Sequence, residues 1–247
     1  YSVGVMNVQS EKTDLSSDSG DSVEFPSTNY TLIRIKRDLF SNSSIGTIFT
    51  NNQSGSNNFS RLLGLDGNFW LTSFLKGEAL LAKTFNPTGK EEDVLGTGRL
   101  IFSKFNLDAD LRYDAIGPEF VPEMGFVMQN DLRRSSADLG YTQWINHRFL
   151  RSISYTGTFE YDTLYNRDYL GRRQKGGATV TLESADKFGY SLETASERIY
   201  DPFTVGLITI KPGDYHNRTH TASFESNASR PVSLVAEYQD IDYWGGD

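Results

Sequence analysis

The sequence predicts an all-β chain, an antiparallel up-and-down transmembrane β-barrel, and three observations carry that reading. Apolar and polar residues alternate along one segment after another. The connections between segments alternate long and short. The second face of each segment is too charged to form the core of a sandwich.

The alternation is clearest in HRFLRSISYTGTFEYD, His147 to Asp162. Phe149, Ile153, Tyr155, Gly157, Phe159 and Tyr161 share one parity, and Arg148, Ser152, Ser154, Thr156, Thr158, Glu160 and Asp162 share the other. Side chains on a strand alternate faces with period two, so this is one strand with an apolar and a wet face. The same reading gives thirteen segments, at 1–9, 29–37, 44–50, 60–70, 75–84, 98–105, 108–114, 131–143, 148–161, 176–184, 188–198, 214–226 and 231–239. None keeps a 3.6-residue apolar period; ALLAK at 79–83 comes nearest and is short.

The connections then read long at 10–28, 51–59, 85–97, 115–130, 163–175 and 199–213, and short at 38–43, 71–74, 106–107, 144–147, 185–187 and 227–230. In an antiparallel meander every long connection falls at one end of the strands and every short one at the other, the asymmetry of outer-membrane barrels. Greek-key sandwiches and four-stranded propeller blades order their connections differently.

The faces agree with this. Val180 and Leu182 alternate with Thr179, Thr181 and Glu183; Leu107, Ala109, Leu111 and Tyr113 with Asp108, Asp110, Arg112 and Asp114; Val232, Leu234, Ala236 and Tyr238 with Ser233, Glu237 and Gln239. Such charge suits a water-filled lumen. The lumen-facing candidates are Arg34, Lys36, Asp108, Asp110, Arg112, Glu193, Glu197 and Glu237. Tyr113, Tyr141, Trp144, Phe149, Tyr161, Phe188 and Tyr238 gather toward strand ends, where amphipathic rings meet a bilayer interface. Arg151 breaks the apolar face of its strand, and near a short turn its long side chain reaches the headgroups.

Bulk properties bound the rest. Mean hydropathy is −0.46, and no run approaches the ~18 apolar residues of a spanning helix. Alternation keeps mean hydropathy low in membrane barrels too. A net charge of −8 and a pI of about 5.0 argue against a nucleic-acid partner, and the absence of cysteine removes disulfides and thiolate chemistry. Thirteen strands leave the first and last running the same way, whereas bacterial single-chain barrels close with an even count. Residues 1–247 are therefore expected to be a single barrel segment, incomplete at one or both ends.

Three stretches resemble a known family. YSVGVMNVQSE (1–11) and NYTLIRIKRDLFSNSSIGTIFTN (29–51) are similar to consecutive strands of domain-of-unknown-function family 5916, and GPEFVPEMGFVMQNDLRR (117–134) is similar to its Phe-x-Pro-Glu-x-Gly-Phe segment. Val121 departs from the Asn more usual there. The resemblance implies a bacterial outer-membrane barrel, often joined to a carbohydrate-binding domain similar to family 9. It implies no catalytic residues.

Searched for chemistry, the chain gives little. His216 and His220 have the i,i+4 spacing that chelates zinc on a helix, but on a strand they stand about 13 Å apart, too far to share one ion. Asp14, Asp18 and Asp21 in one long connection are weak calcium candidates; the plainer reading is a solvated loop. No G-x-S-x-G elbow or Ser–His pairing appears, so no cofactor and no enzymatic activity are expected. In the 115–130 connection Pro118 and Pro122 stiffen the chain, while Phe120, Met124 and Phe126 need somewhere to bury. That connection is expected to fold over or into the barrel or to meet a partner.

The expectation is an outer-membrane barrel with its long loops outside the cell, forming a pore or docking platform for substrate passage or handling, glycan-related by the resemblance. Its partners would be outer-membrane lipid, other surface proteins and glycan. The alternatives are a non-conducting scaffold in a surface assembly and a soluble glycan-binding β domain whose apolar faces meet a second sheet.

Overall fold

A computed structural model of the chain describes residues 1–16, 22–40, 42–87, 94–145, 147–206 and 208–242. Its strands are β1 (Ser2–Gln9), β2 (Thr13–Ser16), β3 (Ser22–Phe25), β4 (Asn29–Leu39), β5 (Ser43–Gln53), β6 (Phe59–Thr72), β7 (Leu75–Phe85), β8 (Val94–Lys104), β9 (Leu107–Ile116), β10 (Leu132–Trp144), β11 (Leu150–Thr163), β12 (Tyr169–Leu182), β13 (Lys187–Ile199), β14 (Phe203–Val205), β15 (Ile208–Ile210), β16 (Gly213–Glu225) and β17 (Val235–Asp242). There is no helix among the described residues.

Thirteen of these strands form one sheet in the order β1-β4-β5-β6-β7-β8-β9-β10-β11-β12-β13-β16-β17, an antiparallel up-and-down meander. Each of the thirteen segments read from the sequence overlaps one of them. The order starts at β1 and stops at β17, and no pairing joins those two among the described residues. The other strands make two hairpins, β2–β3 and β14–β15, inside the first and the last long connections, which the sequence reading left as loops.

Two boundaries need correction. The 163–175 connection shrinks to 164–168, because β12 begins at Tyr169 and Gly171 to Lys175 pair with both β11 and β13. Arg172, Arg173, Gln174 and Lys175 are polar on both parities, so no alternation betrays the strand. In the opposite sense, β17 begins at Val235 instead of residue 231. Pro231 has no N–H to give a ladder, so the predicted short turn becomes 226–234. With these changes the connections at 10–28, 86–93, 117–131 and 200–212 still exceed those at 40–42, 73–74, 105–106 and 183–186. The expected alternation fails elsewhere: 54–58 and 164–168 are no longer than 145–149, and 226–234 is longer than 86–93.

The chain divides into two compact units, Tyr1–Arg99 with Asp114–Leu132, and Leu100–Tyr113 with Arg133–Asp247. In the first, register puts odd-numbered residues of β1, β4, β5, β6 and β7 on one face: Val3 faces Ile35, Ile35 faces Thr47, Thr47 faces Leu65 and Leu65 faces Leu81. In the second, Ile153, Val180, Phe188, Phe224 and Ala236 make one cross-strand row, and Tyr155, Ala178, Tyr190, Ala222 and Tyr238 the next.

Candidate membrane-facing and polar surfaces

Burial runs against the rule for a water-soluble sheet. Leu65 is 57% exposed and Leu81 64%, although both sit on inner strands, and Tyr190, Phe188, Leu139 and Tyr155 are exposed as well. Among the described residues the buried apolar side chains are Phe120, Leu132 and Ile199, whereas Thr50, Ser60, Thr84, Asp114, Ser152 and Thr163 are buried polar ones. Beyond the large sheet the strands form only the two hairpins among the described residues.

The apolar face is banded in both units. On β6 the outward residues run Arg61, Leu63, Leu65, Gly67, Phe69. At ~3.3 Å per residue, Arg61 and Phe69 stand about 26 Å apart along the strand. At the long-connection end the Arg61 guanidinium lies over Phe59, 4.4 Å from its centroid, and the Lys83 ammonium leans toward Phe85. At the other end Arg37 covers Tyr1. Each cation thus keeps its stem on the apolar surface and its head toward an edge. In the second unit Arg151 sits at a register irregularity next to Ser152 and donates from Nη2 to the Glu183 carbonyl at 3.0 Å, in a short turn, where the sequence reading had placed it. Tyr113, Tyr141, Phe149, Tyr161, Phe188 and Tyr238 are exposed; Trp144 is exposed as well but lies on the other parity, opposite Ser152.

The opposite face carries paired charge. In the first unit Arg34 reaches across β5 to Asp66 on β6 with two hydrogen bonds, Nη1 to Oδ1 and Nη2 to Oδ2, the second at 2.9 Å. Gly46 makes the reach possible, because a Cβ there would stand 2.6 Å from Nη2 and 2.9 Å from Cζ of Arg34. Lys36 shares this parity, and Glu78 takes Lys76 at 2.6 Å and Arg99 at 3.6 Å. In the second unit Arg134 holds Asp162 through Nε (2.9 Å) and Nη2 (2.6 Å), and Glu160 lies 3.7 Å from Arg134 and 3.6 Å from Arg173. Asp108 accepts from Ser103 at 2.6 Å and lies beneath Gly140 on this face, with Asp110 and Arg112 following on its parity. Glu193 faces Lys175 in register and Glu197 faces Gly171; Glu237 accepts from Gln239 at 2.8 Å. All eight charged candidates therefore fall on the polar parity of their strands. The sequence reading missed Asp66, Glu160, Asp162 and Arg134. The available signal was same-parity opposite charge: on neighbouring segments for Arg134 and Asp162, and two segments apart with Gly46 between for Arg34 and Asp66.

The 117–131 connection is ordered by its own bonds. Gly117 donates to Val94 O at 2.8 Å, Asn130 Nδ2 to Pro118 O at 2.8 Å, and Gly125 to Pro122 O at 3.0 Å. Glu123 accepts from Asn52 Nδ2 at 2.6 Å, which sets the connection against the polar parity of β5. Thr50, Ser60 and Thr84 on that parity are buried. Phe120 is buried and Met124 half-buried, as the sequence demands, but Phe126 is 86% exposed. The tight turn from Pro122 to Gly125 leaves Phe126 unburied within this chain, the position of a residue that would contact a partner.

Asp18 and Asp21 lie outside the described residues, and Asp14 is described only through the backbone of β2. Among the described residues no His, Cys, Asp and Glu group could hold a metal ion. His216 and His220 lie two rows apart on β16, opposite Ser196 and Leu192, and His220 Nδ1 is 2.7 Å from the Tyr190 hydroxyl. At the short-turn end Asp186 joins two turns. It accepts from Ser184 Oγ (2.6 Å), the Asn227 amide (3.0 Å) and Arg230 (2.7 Å). Ser184 first, then Asn227 and Arg230, hold its carboxyl below the ordinary carboxylate range.

No protein-family model matches the chain, and no curated protein or solved structure matches it.

Proposed function

We propose that the chain is the wall of an outer-membrane β-barrel of the kind its sequence resembles. Its apolar face meets lipid, its long connections lie outside the cell, and its polar face lines a lumen through which a polar substrate passes or on which it docks. The observation that carries the reading is the inverted burial, with Leu65 and Leu81 exposed on inner strands while Thr50, Ser60 and Thr84 are buried. In water an apolar surface of that extent is an association liability; in hydrocarbon it is the required one. An antiparallel sheet leaves no unmet backbone group except at β1 and β17, and further strands of an even-stranded barrel would satisfy those.

The interleaved pairs Arg34–Asp66 and Arg134–Asp162 suit a lumen selective for uncharged polar cargo such as glycan better than a strongly ion-selective pore. The second reading, a plugged barrel acting as a scaffold, is favoured by the Glu123–Asn52 contact, which lays the 117–131 connection on the polar face.

Single cysteines at Ser56, in the 54–58 connection, and Ser73, in the 73–74 turn, test the topology on intact cells; both positions are exposed. Labelling of Ser56→Cys but not Ser73→Cys supports a spanning barrel in this orientation, and equal labelling of both sinks it. Planar-bilayer recording then separates the two uses, since a scaffold gives no stable conductance.

A further inference from the structure

On β12, β13 and β16 the outward face changes character along its length. The rows of Val180, Phe188 and Phe224 and of Ala178, Tyr190 and Ala222 are apolar. Gly176 and Leu192 continue the apolar run on β12 and β13, while β16 already sets His220 beside Leu192. The next two rows hold Gln174, Thr194 and Arg218, then Arg172, Ser196 and His216. From Leu182 to Arg172 is ten residues, about 33 Å along the strand and about 25 Å along the normal at a tilt of ~40°, the height of a barrel's apolar band. The polar rows thus begin where the headgroups of one leaflet would lie, at the long-connection end.

A groove of about 520 Å³ opens there, lined by Arg172, Thr194, Ser196, His216, Arg218 and Asp242 among others. Its floor is small side chains on β13 and its walls are the two arginines on β12 and β16. Both guanidiniums are exposed, and neither makes a hydrogen bond or ion pair among the described residues. This contrasts with neighbouring Arg198, held by both oxygens of Asp214 at 2.6 and 2.9 Å, and with Arg173 on the opposite face, 3.6 Å from Glu160. Asp242 faces Arg218 in register without pairing and closes one end of the groove with negative charge. On the β11 side stand Tyr161 and Tyr169, their ring centroids 5.9 Å apart, with the Tyr169 hydroxyl bonded to Ser196 Oγ. Aromatic rings beside free cations, at the margin of an apolar band, are the chemistry of a lipid interface.

We infer that the Arg172–Arg218 groove binds the phosphate of an anionic lipid headgroup, two guanidinium forks offering paired donors to its oxygens. The inference rests on the barrel reading. It commits to a lipid, not free phosphate, because Gly176 and Leu192 of the adjoining row lead on β12 and β13 into the apolar rows, which would take acyl chains.

The test uses the protein reconstituted in phosphatidylcholine vesicles containing a minor fraction of phosphatidic acid, with lipid retained by the detergent-extracted protein counted by mass spectrometry. The expected result is an enrichment of phosphatidic acid of about tenfold, lost in Arg172→Gln/Arg218→Gln and kept in Arg173→Gln. Enrichment unchanged in the double variant, or abolished equally in Arg173→Gln, overturns the site. So does competition by millimolar inorganic phosphate, which would make the ligand a soluble anion. Resistance to carbonate extraction from pure phosphatidylcholine vesicles is scored separately. Extraction-resistant protein without enrichment refutes the groove and leaves the barrel standing, whereas extractable protein refutes both.

Discussion

Leu65→Arg should be among the most damaging substitutions on the outward face, although Leu65 is 57% exposed. On β6 it lies midway between Arg61 and Phe69, four residues from each, so about 13 Å along the strand and about 10 Å of depth at a tilt of ~40° separate it from either margin. Arginine at the midplane of a barrel's lipid face costs about 2–4 kcal/mol, and near an interface about 0–1. The control is Gln174→Arg, at an exposed position of the same parity within the polar rows of β12. A difference of about 3 kcal/mol is a factor of more than a hundred in the folding equilibrium.

The assay is reversible urea unfolding from phosphatidylcholine vesicles, followed by tryptophan fluorescence. In a water-soluble sheet the ranking would vanish, because exposed substitutions generally move stability by no more than ~0.5 kcal/mol. If Leu65→Arg costs no more than Gln174→Arg, the outward face does not meet hydrocarbon, and the argument from inverted burial fails.

Other outcomes follow from single contacts. Asp66→Asn should shift the charge selectivity of any conductance toward anions by freeing Arg34, while changing stability by at most about 1 kcal/mol, since the pair is a third exposed; unchanged reversal potentials would remove Arg34 from the lumen wall. Phe120→Ala should cost the 117–131 connection about 3 kcal/mol of local stability, given its burial, and open the exposed Phe126 and Met128 to chymotrypsin; proteolysis at the wild-type rate would show that Phe120 anchors nothing. For Asp186 the folded-state value is depressed, so its contribution is present above the unfolded value of ~3.9 and fades as pH falls through the lower folded one. Protection of the Asn227 amide against exchange should therefore fall only below about pH 4, and in Asp186→Ala it should be lost throughout; protection indifferent to both would dissolve the clasp.

The strands were legible because the physics that makes them is local. Alternation with period two is written into each segment, so Ile153, Tyr155 and Phe159 declare a face without reference to any neighbour. Where the ladder alone makes the strand the signal disappears, as at Arg172 to Lys175, polar on both sides and paired through backbone. The hairpins β2–β3 and β14–β15 are too short to show a period. Partners were less legible than faces. Arg34 could be assigned its side from parity, but its bond to Asp66 depends on β4, β5 and β6 aligning so that Gly46 lies between them, a register that no single segment encodes. Phe120 and Phe126 illustrate the same limit. Both are aromatic residues in one Pro-rich connection, and only the turn from Pro122 to Gly125 decides which is buried and which is presented outward.

That connection is also where the choice between pore and scaffold turns. A wall built from salt-bridged arginines and carboxylates costs little in water and would cost much in a sealed, dry interior, so the polar face argues for a hydrated space along its length. The Glu123–Asn52 bond is a contact between exposed side chains, worth little by itself; Phe120 holds the connection more firmly. Deleting the bond with Glu123→Ala should then change the rate of any opening more than the stability of the closed form, and current through the variant should show longer open dwell times with the same single-channel amplitude. A larger amplitude would mean that the connection narrows the lumen permanently, and no current in either protein would favour the scaffold.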